Sequence, residues 1–408
     1  MKRYHIQLYL LSPLHIGTGE ELTPTDYIIR TPGGNQQRPI LYALDIPKLL
    51  GQMSDADRQS FNEAASSNNP AHLRRWLYER VDVKRYARWY AYVNRELYER
   101  YRDGLQSAKS ELAIHPIIRT SLSSQPYIPG STVKGAIRTA VLQYLLNSQE
   151  GQAEKIAQNK AYQNSHNFTL GEAAILGHLT RPERQDRSSR QKEKAEIRAD
   201  PFRAVYISDL FYNQADTLAA PAQSAGPTAS IFTIVNKVNL FSLESGNIAG
   251  SRRKAQLGIH MFYEMTFSAL NGREIIAQGT LTIKDELSST DARRAKKWNF
   301  EHCVSRSISA ADILKSCQQF YSKRLKEEAQ LTSKITNASR AYSQLQQMAN
   351  SLNHNHEALI RLGRFSHVEC VTLEPPLRRA RGGKSRTMTP GPPPVGMGWA
   401  ILRLDLLE

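Results

Sequence analysis

The chain has 408 residues, 40% of them hydrophobic, which is enough for a sizeable core in one elaborate domain or two ordinary ones. Its 54 lysines and arginines outweigh 38 aspartates and glutamates, and a net charge of +16 suits a protein whose usual partner is an anion, nucleic acid before others; the plainer alternative is a charge that only aids solubility. Three scattered cysteines exclude a disulfide framework, the N-terminal MKRYHIQLYLLSPLHIG is no signal peptide, and no stretch approaches the roughly 20 apolar residues of a membrane span, so a cytoplasmic protein without membrane contact is expected.

In chain order, residues 3–10 alternate, with Tyr4, Ile6, Leu8 and Leu10 facing one way, the pattern of a half-buried strand. It runs into the glycine turn of Ser12-Pro13-Leu14-His15-Ile16-Gly17-Thr18-Gly19. A second short strand is expected at 26–30, before a Pro-Gly-Gly turn at 32–34. From about 44 to 104 the pattern reads as helical. Residues 71–102 mix Leu73, Leu77, Tyr86, Tyr90, Val93 and Leu97 with many arginines, and Glu96 stands one turn before Arg100. This is a packed helical face or an RNA-touching one with interleaved aromatics. The polar run 181–194 reads as a mobile loop and the Ala-, Gly-, Pro- and Ser-rich 215–230 as a loop or hairpin tip. Strands are expected at 204–208, 231–238, 263–269 and 275–283, a long helical piece at 308–350, and a final strand at 399–406 after a glycine- and arginine-rich loop. Strands at both ends and irregular interleaving predict an α+β fold whose terminal strands meet in one sheet.

The most informative segment is Tyr127-Ile128-Pro129-Gly130-Ser131-Thr132-Val133-Lys134-Gly135-Ala136-Ile137-Arg138-Thr139. Pro-Gly makes a turn, Ser131 suits an N-cap, and Val133, Ile137, Ala140, Val141 and Tyr144 recur at helical spacing. Lys134 and Arg138 lie one turn apart on another face. The first turn of a helix is partially positive, yet here it carries a lysine and no carboxylate, so an external phosphate is expected there; a solvated lysine on an ordinary helix is the alternative. The GxxxxGK[ST] spacing of a nucleotide P-loop is absent.

These residues carry a family resemblance. His15-Ile16-Gly17-Thr18-Gly19-Glu20, the 127–139 segment and Val205-Tyr206-Ile207-Ser208-Asp209, closed by Gly396-Met397-Gly398-Trp399-Ala400 before a strand, resemble successive signatures of the RAMP proteins of CRISPR systems. Their order and the chain's length most resemble the fifth subunit of the type III-A Csm complex, which caps the 3′ end of the guide RNA (crRNA). The resemblance implies a ferredoxin-like, RRM-type core sheet built from 1–50, 111–147, 200–290 and 355–408, with helical insertions at 51–110 and 291–354. It implies crRNA, a single-stranded RNA, as partner, target RNA met indirectly, and other Csm subunits alongside, above all the repeated backbone subunit. Host nucleases that trim crRNA are a further candidate partner, in a role in crRNA 3′-end maturation and antiviral defence. His15, Ser131, Lys134 and Arg138 fall on the family's crRNA-proximal motifs, and Arg203 precedes the family's strand as a further contact.

The chain departs from the family where many members carry a G-x-G-like stretch. Arg361-Leu362-Gly363-Arg364-Phe365-Ser366-His367 keeps one glycine and adds a basic residue, so Arg361 and Arg364 join the candidate RNA contacts. Lys384 and Arg386, in the basic loop 378–386, and Arg252, Arg253 and Lys254, after a glycine turn, extend the same path. No cofactor or metal is expected, because His354, His356 and His367 have no cysteine or carboxylate to complete a tetrahedral set. The expected role is non-catalytic. Asp26 falls in the segment where the family's backbone subunit carries its target-cleaving aspartate, and is read as a strand-edge acid. Two rivals stand beside this reading: a RAMP-type endoribonuclease that processes crRNA with His15 as base, and a general basic RNA-binding protein.

Overall fold

The computed structural model describes residues 1–31, 38–106, 112–148, 168–180, 194–213, 232–236, 238–239, 260–288, 304–371, 373, 387–389 and 393–407. The first half holds β1 (Lys2–Leu10), β2 (Tyr27–Arg30), β3 (Ile40–Leu44), α1 (Ile46–Gly51), α2 (Asp55–Ala65), α3 (Pro70–Arg80), α4 (Val83–Tyr86), β4 (Ala87–Val93), α5 (Arg95–Gly104), β5 (Leu112–His115), β6 (Tyr127–Ile128), α6 (Gly130–Ser148) and α7 (Phe168–Leu176). Then come β7 (Leu179–Thr180), β8 (Lys194–Ala195), β9 (Val205–Ile207), β10 (Leu210–Tyr212), β11 (Phe232–Asn236), β12 (Val238–Asn239), β13 (His260–Thr266) and β14 (Ile276–Ile283). The chain closes with α8 (Ala310–Leu331), α9 (Thr336–Asn350), β15 (Glu357–Arg361), α10 (Val368–Val371), β16 (Thr387–Met388) and β17 (Trp399–Leu406).

The alternation in β1 does what it predicts: Ile6 and Leu8 are fully buried. The strand lies in the middle of a seven-stranded sheet ordered β15-β17-β1-β14-β10-β6, with β9 also pairing β14. Both neighbours of β1 run antiparallel to it, Ile6 standing opposite Leu404 on one side and Gly279 on the other. The expected meeting of the terminal strands is therefore observed, in an α+β fold. A second sheet, ordered β2-β3-β4-β11-β13-β5, adds two parallel pairings, β4 with β11 and β5 with β13.

One continuous core joins the two sheets. Ile6, Leu8 and Ile128 of the first meet Tyr27, Leu41, Ala91 and Ile234 of the second, and Val133, Ile137 and Val141 of α6 close over them. Each fully buried aliphatic side chain of this kind contributes about 1.5–3 kcal/mol. α8 lies across α6, where the Tyr321 hydroxyl donates to the Ala136 carbonyl at 3.1 Å. The far face of the second sheet carries its own cluster, Ile28, Ile40, Tyr42 and Tyr90 under Leu49 of α1 and Leu77 of α3.

Two expectations need correction. The stretch 51–110 is not purely helical, because β4 is an interior strand of the second sheet. Its period is two: Trp89, Ala91 and Val93 face the main core while Tyr90 and Tyr92 face the helices. The helical piece at 308–350 is two helices. α8 starts at a capping box of Ser309 and Asp312, and the chain turns at 332–335 before α9.

Candidate nucleic-acid interface

Helix α6 begins at Gly130, so Ser131 is an exposed residue inside its first turn and not the cap. Its start is pinned by another segment. The Gly130 N–H donates to the Asp209 carboxylate at 2.9 Å, and a Cβ on Gly130 would stand 2.2 Å from the Ile207 carbonyl oxygen. The helix has no acid of its own in its first turn, but Asp209 brings one to its positive end, which corrects the expectation of an uncompensated terminus. The 127–139 and 205–209 motifs thus form one corner.

Arg138 is committed inside the protein. It pairs with Glu172 of α7 at 3.1 Å and with Asp200 at 2.8 Å, and its guanidinium lies 5.2 Å from the Phe202 ring centroid. Because both carboxylates are only about a fifth to a quarter exposed (24% and 18%), Arg138→Ala leaves two half-buried anions without their cation. The variant is expected to lose about 1–3 kcal/mol of unfolding free energy, seen as a lower urea midpoint at constant m. An unchanged midpoint would mean the pairing carries no stability.

Lys134 has a different setting. It is half-buried, and burial holds its pKa below the ordinary lysine value against the pull of Asp200, with Arg138 adding to the lowering. Its ammonium lies 5.8 Å from the Tyr206 ring centroid, and that of Lys284, just past β14, lies 4.6 Å from the same ring. Among the described residues neither lysine has a carboxylate at ion-pair distance. Tyr206 is 47% exposed, although its neighbour Val205 is fully buried. Tyr206 and Lys284 escaped the sequence reading as contacts. The strand's alternation was a signal for Tyr206. Lys284 had none, because only the pairing of Tyr206 with Thr282 brings it to that ring. Arg203 lies nearby in sequence, half-buried, and an Nη1 hydrogen of its guanidinium goes to the Arg198 carbonyl.

A second convergence joins the His15 motif to the 361–367 stretch. His15 is 1% exposed, its Nδ1–H donates to the Glu264 carbonyl at 2.7 Å, and its ring meets Tyr263 edge-on at 5.2 Å. Burial lowers its pKa and favours the neutral ring, and among the described residues its buried Nε2 has no hydrogen-bond partner. The one remaining glycine of the stretch, Gly363, has φ +86° and lies so close that a Cβ would meet the His15 carbonyl oxygen at 2.6 Å. The Arg364 N–H donates to that same carbonyl at 3.1 Å, and its side chain is exposed.

Arg361 faces inward. It pairs with Glu328 of α8 at 3.0 Å and donates through Nε to the Met397 carbonyl at 3.0 Å, with Trp399 stacked 4.7 Å from its guanidinium. At 3% exposure it belongs to the core and not to an RNA surface. Asp26 accepts from the Thr23 N–H and hydroxyl, both at 2.7 Å, and so stabilises a turn. Arg252, Arg253, Lys254, Lys384 and Arg386 lie outside the described residues. Among the described residues no group of three or more His, Cys, Asp or Glu converges as a metal site, and no helix is long and apolar enough to cross a membrane.

Residues 7–241 match the model of the RAMP superfamily. Two curated proteins of Mycobacterium tuberculosis, both named CRISPR system Cms protein Csm5, are 25% identical over 225 residues, 52% of this chain and 53% of theirs. The chain therefore spans about half the length of the curated relatives it matches. In fold it is similar to a chain of the Csm-crRNA-target RNA ternary complex of a type III-A CRISPR-Cas system, at TM-score 0.58 and 19% identity over 98% of this chain and 100% of the other. The crystal structure of T. onnurineus Csm5 is likewise similar, at TM-score 0.53 and 17% identity over 97% and 99% of the two chains.

Proposed function

Since the chain belongs to the RAMP superfamily, we propose that it is a Csm5-type, crRNA-binding subunit of a type III-A CRISPR effector, non-catalytic, capping the 3′ side of the guide and serving antiviral defence. The observation that carries this reading is the corner where α6, β9 and β14 meet. Two lysines with no carboxylate at ion-pair distance among the described residues converge there on a half-exposed aromatic ring, in a chain of net charge +16. Phosphates supply the missing anions, and counterion release favours the exchange. Arg364 adds an exposed cation beside the His15 motif.

The non-catalytic part rests on His15. A general base must come within hydrogen-bond reach of the hydroxyl it deprotonates, and a ring 1% exposed, with Nδ1 held by a backbone carbonyl, has no such reach. Its partners on this reading are crRNA, other Csm subunits and, through the guide, target RNA.

The test is purification of the tagged chain from cells with a type III-A locus, followed by sequencing of the RNA that accompanies it. Expected are co-purifying Csm subunits and one discrete guide population. The purified chain should prefer single-stranded RNA over duplex, with log K falling steeply and linearly with log salt. Tight binding to duplex DNA, or affinity that barely responds to salt, would count decisively against the reading. Metal-free cleavage of a repeat RNA that vanishes in His15→Ala would overturn the non-catalytic part.

A further inference from the structure

Glycines in this fold fall into two kinds. Gly17, Gly130, Gly279, Gly363, Gly396 and Gly398 each have a protein atom less than 3.0 Å from where a Cβ would sit, so a side chain there would force a neighbour to shift. Gly135 is the reverse. It is exposed in the interior of α6, next to Lys134, and nothing lies within 4 Å of its missing Cβ. A glycine in mid-helix weakens the helix, and the protein gains no packing from this one. The room it leaves opens on solvent, one helical turn beyond the exposed Ser131.

Lys134, the residue before Gly135, carries its ammonium to the Tyr206 ring. The strand of Tyr206 needs Val205 for the core, whereas the tyrosine ring contributes nothing there and remains 47% exposed. Two ammonium groups lie within 5.8 Å of the ring centroid, on flexible stems and without ion-pair partners among the described residues. A half-exposed ring with two cations over it on flexible stems, one of them next in sequence to a helical glycine, has the chemistry of a nucleotide site.

Resting on the RNA-binding reading above, we propose that Tyr206, Lys134 and Lys284 form a single-nucleotide subsite for single-stranded RNA. One base stacks on the Tyr206 ring, its two flanking phosphates take Lys134 and Lys284, and the sugar-phosphate chain passes over Gly135. A paired base cannot take this position, because its faces are occupied by its neighbours in the helix. The subsite therefore reads strandedness and not sequence.

The experiment uses the full chain and a single-stranded RNA carrying 2-aminopurine, whose fluorescence is quenched by stacking on an aromatic ring. Wild type and Tyr206→Phe should bind and quench alike. Tyr206→Leu should melt like wild type, since the ring is outside the core, yet lose the quench and about 10–100-fold in affinity. Gly135→Leu should raise the melting temperature while weakening RNA to a similar degree, because its side chain fills the backbone's path. If wild type binds RNA and Tyr206→Leu keeps both affinity and quench at every labelled position, the subsite is wrong while RNA binding stands. If wild type binds no RNA at all, the functional reading fails first and takes the subsite with it.

Discussion

Arg361→Met is expected to destabilise the chain by about 3–5 kcal/mol, the largest effect of any single substitution considered. Methionine keeps most of the volume, so the loss is electrostatic. Glu328 is 3% exposed, and its Oε2 accepts from both Arg361 and the Trp399 indole, the latter at 3.1 Å. Without the guanidinium, the buried carboxylate loses the cation at its Oε2 and keeps the Trp399 N–H there. Burial acts to lower the Arg361 pKa, but Glu328, Cys370 and Tyr342 together outweigh it and hold the pKa above the ordinary arginine value. The space around the pair is closed as well: a Cβ on Gly396 would stand 2.7–2.8 Å from Arg361 Nη2, Tyr342 Oη and Glu328 Oε2. The double variant Arg361→Met with Glu328→Gln removes the charge and keeps an acceptor for Trp399, so it should recover part of the loss. Guanidinium unfolding of the two variants reads this directly. An Arg361→Met chain as stable as wild type would mean Glu328 needs no counter-charge.

The second large effect concerns binding. Replacing both Lys134 and Lys284 with glutamine should weaken single-stranded RNA by about 2–4 kcal/mol at low salt, from two charge-assisted contacts. The slope of log K against log salt should flatten by about 1.4, at roughly 0.7 per phosphate contact on a single strand. Stability should hold, because neither ammonium makes an ion pair among the described residues. pH separates the two properties further. Burial lowers the Lys134 pKa in the folded chain, so between its folded and unfolded values the unfolded chain binds more protons. Stability from this group therefore rises with pH across that window, while RNA affinity falls as the ammonium is lost. Unchanged affinity and slope in the double variant would remove this corner from the RNA path.

How much of this was legible in the residues follows a physical divide. Patterns of period two and 3.6 exposed β1, the strand at 399–406 and the buried face of α6, because burial there is repeated along one element. β4 was obscured by the arginines around it and by helix-forming flanks. Asp209 at the start of α6, Glu172 and Asp200 around Arg138, and Glu328 beside Arg361 were invisible for another reason. Each comes from a distant part of the chain, and no local spacing encodes it. Arginines read as free cations therefore divided by whether a carboxylate arrives in the fold: Arg138 and Arg361 turned inward, whereas Arg364 kept its side chain in water. The convergence of Lys134 and Lys284 on Tyr206 depends on strand register, which the motif order alone does not specify.

The placement of β17 between β15 and β1 has a consequence for synthesis. Residue 399 is made nearly 400 residues after β1. At about 5–20 residues per second the nascent strand waits roughly 20–80 s with one edge unpaired. During that interval the edge that β17 later covers is open to wrong partners. Gly398 then seats its N–H on the Pro13 carbonyl at 2.8 Å, and the Trp399 carbonyl accepts from the Leu11 and Ser12 N–H groups. A chain that stops before residue 399 thus leaves β1 and β15 without the strand that joins them in the sheet.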